Sequence, residues 1–89
     1  MADLKLTPST YFALMAEFGT AHVPVTIIGK KYFGYSEIVA KNNATRNKYP
    51  FLVFRAGGDK SIWLTDIVDV AAYIDKVKEK AKLEYNTAN

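Results

Sequence analysis

The sequence contains no cysteine, which removes disulfides, thiolate nucleophiles and cysteine-ligated zinc or iron–sulfur centres from consideration. Histidine occurs once, as His22 in the connection Thr20-Ala21-His22-Val23-Pro24. Without neighbouring ligand-type residues it is assigned no chemistry, and neither a metal nor a cofactor is expected. Nowhere do about eighteen apolar residues run together, so no membrane span or membrane partner is expected. Met1-Ala2-Asp3-Leu4-Lys5 also lacks the apolar stretch of a secretory signal, which leads to the expectation of a soluble, cytoplasmic protein. Glycine and proline are scarce, with 5 and 3 copies, so each reads as punctuation between elements.

What is present is 89 residues, 49% of them hydrophobic, enough for one modest core and a single domain over residues 1–89. That size argues against a catalytic cleft between domains. The net charge of +3 is unevenly placed. Between positions 30 and 60, Lys30, Lys31, Lys41, Arg46, Lys48, Arg55 and Lys60 are opposed only by Glu37 and Asp59, whereas acids outnumber bases on either side. A polyanionic partner would meet this middle third first.

Along the chain, Pro8-Ser9-Thr10 sets up a cap for a helix over Tyr11–Phe18, with Tyr11, Leu14, Met15 and Phe18 on one face and Gly19 as its stop. A second helix is predicted over Val25–Phe33, capped by Thr26 and closed by Gly34. Ser36 opens a third helix reaching about Lys48, since Pro50 forbids continuation. Ile38, Val39 and Ala44 are its expected buried residues. Phe51 to Arg55 reads as a strand, Ala56-Gly57-Gly58-Asp59 as a loop, and Lys60 to Leu64 as the returning strand. Thr65 opens a long last helix to about position 85, with Asp66 and Asp69 at its start and lysines toward its end, as the helix dipole prefers. The tail, 86–89, is expected to fray.

Two helices joined by so tight a turn, then a glycine-tipped hairpin, spell an α+β fold: a small winged helix-turn-helix, mostly helical, with one β-hairpin wing and a long C-terminal helix. Double-stranded DNA is the partner such an order implies. Asparagine can pair with adenine and arginine with guanine through two hydrogen bonds, and threonine offers a hydroxyl or a methyl group. Asn42, Asn43, Thr45, Arg46 and Asn47 are therefore the candidate base contacts. Lys30, Lys31, Ser36, Lys41 and Lys48 are candidates for the DNA backbone. The wing would contribute Arg55, Gly57, Gly58 and Lys60. Gly57-Gly58-Asp59-Lys60-Ser61 is not a nucleotide-binding loop, because the glycine spacing is wrong and no strand–loop–helix surrounds it. Trp63 is expected to cap the core beside the hairpin. In the last helix, Ile67, Val70, Ala71, Ile74, Val77 and Ala81 form a stripe longer than one small core needs. Its far part, Ile74, Val77 and Ala81, is the candidate surface for a homodimer or a cooperative oligomer on DNA.

Five blocks of this sequence together resemble the pyocin activator (PrtN-like) family of phage-related regulators. They are Phe12-Ala13-Leu14-Met15-Ala16-Glu17-Phe18-Gly19, Val23-Pro24-Val25, Tyr32-Phe33-Gly34, Tyr49-Pro50-Phe51-Leu52-Val53-Phe54-Arg55 and Asp66-Ile67-Val68-Asp69-Val70-Ala71-Ala72-Tyr73-Ile74-Asp75. More loosely, the helix-turn-helix, proline and wing are similar to phage excisionases and the MerR-like winged helices. The first resemblance implies a DNA-binding activator of prophage or mobile-element genes that also touches RNA polymerase, with Asp66, Asp69 and Asp75 as a candidate surface. The second implies an architectural protein that bends DNA for a phage integrase. The chain departs from the family pattern at Lys48, where a small residue is expected before the Tyr49-Pro50 turn.

A different class stays open: a small phage protein whose basic middle meets an acidic protein target and inhibits it. DNA binding predicts a steep salt dependence that an inhibitor does not. An enzyme is not expected, because no nucleophile is paired with a base and the carboxylates do not converge in an apolar setting.

Overall fold

A computed structural model describes residues 9–88 of the chain. Its elements are α1 (Thr10–Phe18), β1 (His22–Pro24), α2 (Val25–Phe33), α3 (Glu37–Thr45), β2 (Val53–Phe54), β3 (Leu64–Asp66) and α4 (Ile67–Ala88). The class is α+β, four helices around an antiparallel sheet in the order β1-β3-β2, as in winged helix folds.

Local signals set most helix ends. The Ser9 hydroxyl accepts the Phe12 amide, and that of Ser36 accepts the Val39 amide, each satisfying one otherwise unpaired donor of a first turn. Gly19 (φ 70°) and Gly34 (φ 71°) close α1 and α2 in the left-handed region open to glycine. Thr26, by contrast, is not the cap of α2. Pro24 stands at that position without a side-chain bond, and the Val25 amide donates to the Trp63 carbonyl at 2.9 Å, so a tertiary partner replaces the cap.

Further corrections arise where partners lie far along the chain. His22–Pro24 is a strand, not a connection: Val23 pairs with Thr65 on β3, and Val53 of β2 pairs with Thr65 from the other side. The returning strand is Leu64–Asp66 rather than Lys60 to Leu64, which leaves residues 55–63 as the wing loop. Thr65 does not open α4. It is the central residue of the sheet, fully buried, and its hydroxyl donates to the Leu52 carbonyl at 2.9 Å. Asp66 is the capping residue, its carboxylate accepting the Val68 amide at 2.9 Å. At the other end α4 continues to Ala88, so 86–88 are helical rather than frayed, while residue 89 lies outside the described residues.

The third helix stops at Thr45, short of Lys48. Asn47 adopts φ 56°, its amide donates to the Ala44 carbonyl, and the Lys48 amide donates to the Asn43 carbonyl. That bond pair is a Schellman termination, which satisfies the last carbonyls and turns the chain before Pro50 can.

Two apolar clusters meet at Phe51. One joins Leu14, Val23, Ile28, Ile67, Val70 and Ala71 under Met15, Phe18, Tyr32 and Ile74. The other joins Val25, Ala44, Tyr49 and Val53 under Phe33, Tyr35 and Trp63. Each fully buried aliphatic side chain contributes about 1.5–3 kcal/mol. Tyr11 sits at the edge of the α1 stripe, exposed.

Candidate nucleic-acid interface

The packing of α3 on α2 decides which side chains of α3 face outward. Gly29 of α2 is buried, and a Cβ built on it would lie 3.1 Å from the Ala40 Cβ and 2.8 Å from the Tyr49 hydroxyl. The two helices thus approach over small residues, and α3 turns Ala40 and Ala44 inward, one helical turn apart. Ile38 and Val39, expected in the core, are 71% and 43% exposed. The physical reason is distance: a branched side chain in that seam would push the helices apart. The Tyr49 hydroxyl locks the crossing by donating to the Ala40 carbonyl at 2.9 Å, and burial raises its pKa above the ordinary tyrosine value.

With the alanines inward, Lys41, Asn42, Thr45 and Arg46 are exposed on the outer side of α3 and its C-terminus. Asn43 is half-buried on the flank. Asn47 is exposed, but its backbone is committed to the turn that ends the helix. The base-contact candidates therefore divide: Asn42, Thr45 and Arg46 share the open face, while Asn43 and Asn47 serve the helix terminus. Thr45 donates its hydroxyl proton to the Lys41 carbonyl at 3.2 Å, leaving its methyl and lone pairs available.

The cations divide as well. Lys30 is exposed beside a groove shared with Thr26, Ile27, Tyr35, Ser36 and Glu37. Ser36 accepts the Val39 amide at 3.2 Å, so its hydroxyl proton is still free to be donated. Lys31 is drawn the other way, to α1, where it pairs with Glu17 and lies 5.4 Å from the Phe18 ring centre and 5.1 Å from that of Tyr32. The Glu17 hydrogen bond raises its pKa, and its charge is spent within the fold. Lys41 bridges Glu37 at 3.1 Å one turn away on α3, and Lys48 is exposed beyond the turn.

The wing loop is bonded to itself. Gly58 (φ 92°) accepts the Ser61 amide and hydroxyl at its carbonyl, and Ser61 Oγ accepts the Gly57 amide at 3.1 Å. Arg55 serves as its brace: the guanidinium lies 4.3 Å over the Trp63 ring and donates to the Asp59 carbonyl at 2.7 Å. Lys60 is left exposed at the tip. Between wing and α3 opens a cleft of about 410 Å³, with Lys41, Thr45 and Glu37 on one wall and Lys60, Arg55 and Trp63 on the other. Cations on both walls of a cleft of this kind suit a phosphate strand.

Of the α4 candidates, Ile74 is half-buried against the first cluster, whereas Val77 and Ala81 are exposed where the helix runs past the core. The acidic candidates carry structural duties: Asp66 caps α4 and lies 3.6 Å from His22, and Asp75 accepts the Thr10 hydroxyl. Asp69 lines a groove with Pro50, Phe51 and Lys76. The residues missed from sequence were Gly29, Ala40 and Tyr49; the signal was available in Gly29, a glycine interrupting a helical pattern, which usually marks a close approach. No helix among the described residues is long and apolar enough to cross a membrane.

Residues 10–81 match the family model described as pyocin activator protein PrtN. No curated protein and no solved structure matches the chain.

Proposed function

The chain belongs to the family of pyocin activator protein PrtN, and on that premise we propose that this phage-related transcriptional activator works by binding specific sequences in double-stranded DNA. The observation that carries the reading is the two-sidedness of α3. Its inner side is reduced to Ala40 and Ala44, and its outer side presents Asn42, Thr45 and Arg46 beside a cleft with cations on both walls. In this reading α3 enters the major groove, with Asn42, Thr45 and Arg46 reading base edges. Lys30, Ser36, Lys41, Lys48 and Lys60 hold the phosphates. Arg55, Gly57 and Gly58 act through the shape of the wing.

Val77 and Ala81 would join two copies along α4, giving a homodimer or cooperative assembly on DNA. Contact with RNA polymerase would complete activation. Footprinting on the DNA upstream of its own gene and at the adjacent attachment site tests the reading. Protection at a promoter supports the activator, and protection beside the attachment site supports an excisionase-like role with an integrase. No protection over scrambled duplex supports the protein-inhibitor alternative.

A further inference from the structure

We propose that Ile38 is a base-reading residue whose side chain packs on a thymine C5-methyl group in the major groove. The inference rests on the DNA-binding reading above and sharpens it. Ile38 stands in the first turn of α3, two residues after the Ser36 cap, and is 71% exposed. A β-branched residue there adds nothing to the helix, since its propensity is below that of alanine, and it contributes no burial to the core. Its surroundings indicate what covers it. Asn42 and Thr45 follow at i+4 and i+7 on the same outward stripe, with Lys41 exposed beside them. An amide and the Lys41–Glu37 ion pair around one aliphatic knob are unlike the charge-depleted centre of a protein interface. They match the major groove, where amides and cations meet base edges and phosphates, and where thymine offers an apolar group at the base edge. Docked helices of this kind use their N-terminal residues on base edges, which puts the first turn of α3 within reach of the bases along the same stripe as Asn42 and Thr45.

The test is a uracil scan. Each thymine of the protected duplex is replaced singly by deoxyuridine, which removes one methyl group, and affinity is measured with the full-length wild type and Ile38→Ala. One or two positions should weaken wild-type binding about fourfold each, the value of burying one methyl-sized group. Ile38→Ala should abolish the sensitivity at those positions while keeping its affinity for scrambled duplex. Alanine favours helix at an exposed site, so the variant folds, and its circular dichroism melt verifies that. A flat scan with wild type overturns the proposal, as does unchanged uracil sensitivity in Ile38→Ala. A flat scan with altered sedimentation of Ile38→Ala also overturns it and makes Ile38 a contact between copies. If wild type prefers no duplex over scrambled DNA, the DNA reading itself fails and the inference falls with it.

Discussion

Gly29→Ala puts the seam between α2 and α3 to the test. In an open helix this change stabilises by about 1 kcal/mol, because alanine is the better helix former. Here the new methyl group would meet the Tyr49 hydroxyl at 2.8 Å, the Ala40 Cβ at 3.1 Å and Tyr35 Cδ2 at 3.2 Å. Tyr49 cannot swing aside freely, since its ring packs among Phe33, Tyr35 and Phe51 and its hydroxyl is bonded to the Ala40 carbonyl. Overpacking of this kind costs about 1–3 kcal/mol. Displacing the buried phenol adds about 1–3 kcal/mol for the Tyr49 hydroxyl, which loses its acceptor. After the propensity gain, a net loss of about 1–5 kcal/mol is expected. At roughly 4–8 °C per kcal/mol for a domain this small, the Tm should fall by at least about 4 °C. Thermal and urea unfolding followed by circular dichroism measure it. In a Tyr49→Phe background, which lacks the nearest clashing atom, the same substitution should cost about 1 kcal/mol less, a coupling of the size expected for touching residues. A Gly29→Ala protein as stable as wild type, or an equal cost in both backgrounds, would refute the close-approach argument.

Other consequences are equally open to measurement. Asn47 sits at φ 56°, so Asn47→Gly should change stability in urea by less than about 0.5 kcal/mol, whereas Asn47→Val should lose about 1–2 kcal/mol to left-handed strain; specific DNA affinity should survive the glycine. Raised pKa values at Lys31, from the Glu17 hydrogen bond, and at Tyr49, from burial, both favour the protonated folded protein. Their stabilisation is fully present at neutral pH and is lost as pH rises above the ordinary values of 10.5 and 10.0, so a pH titration of stability should decline on the alkaline side, less steeply in Tyr49→Phe. Val77→Glu with Ala81→Glu should shift sedimentation on DNA toward a single copy per site without lowering the Tm, since neither residue is buried. A lowered Tm with unchanged sedimentation would instead make that stretch of α4 part of the fold.

The parts of the fold legible in the sequence were those decided within a few residues. Ser9, Gly19, Gly34 and Ser36 act on their own helix turns, and all four fall where the sequence placed them. The strand His22–Pro24 was not legible, because its ladder partner is Thr65, and a three-residue segment containing proline carries no periodic signal of its own. The buried face of α3 was legible only in part: Ala44 is buried as expected, whereas Ala40 was missed and Ile38 and Val39 are exposed. Hydrophobicity favours Ile38 and Val39, but the seam at Gly29 admits only Ala40 and Ala44. At the candidate site, the basic middle third was visible from counting, yet how its charges are occupied was not. Lys31 turns to Glu17 and Arg55 to Trp63 and Asp59, which follows from tertiary neighbours. Asn42, Thr45 and Arg46 lie on the open face because an amphipathic helix with two inward alanines leaves them nowhere else to point.

The most direct test is the affinity of wild type and Arg46→Ala for the duplex protected upstream of the gene, against scrambled duplex, over a salt series. Wild type should prefer the protected duplex, with log affinity falling by about 0.9 per neutralised phosphate for each tenfold rise in salt. Arg46→Ala should lose about 1–3 kcal/mol of that preference, the worth of one two-bonded base contact. Equal affinity of wild type for both duplexes, unchanged by Arg46→Ala, would contradict the assignment of α3 as the DNA-reading helix.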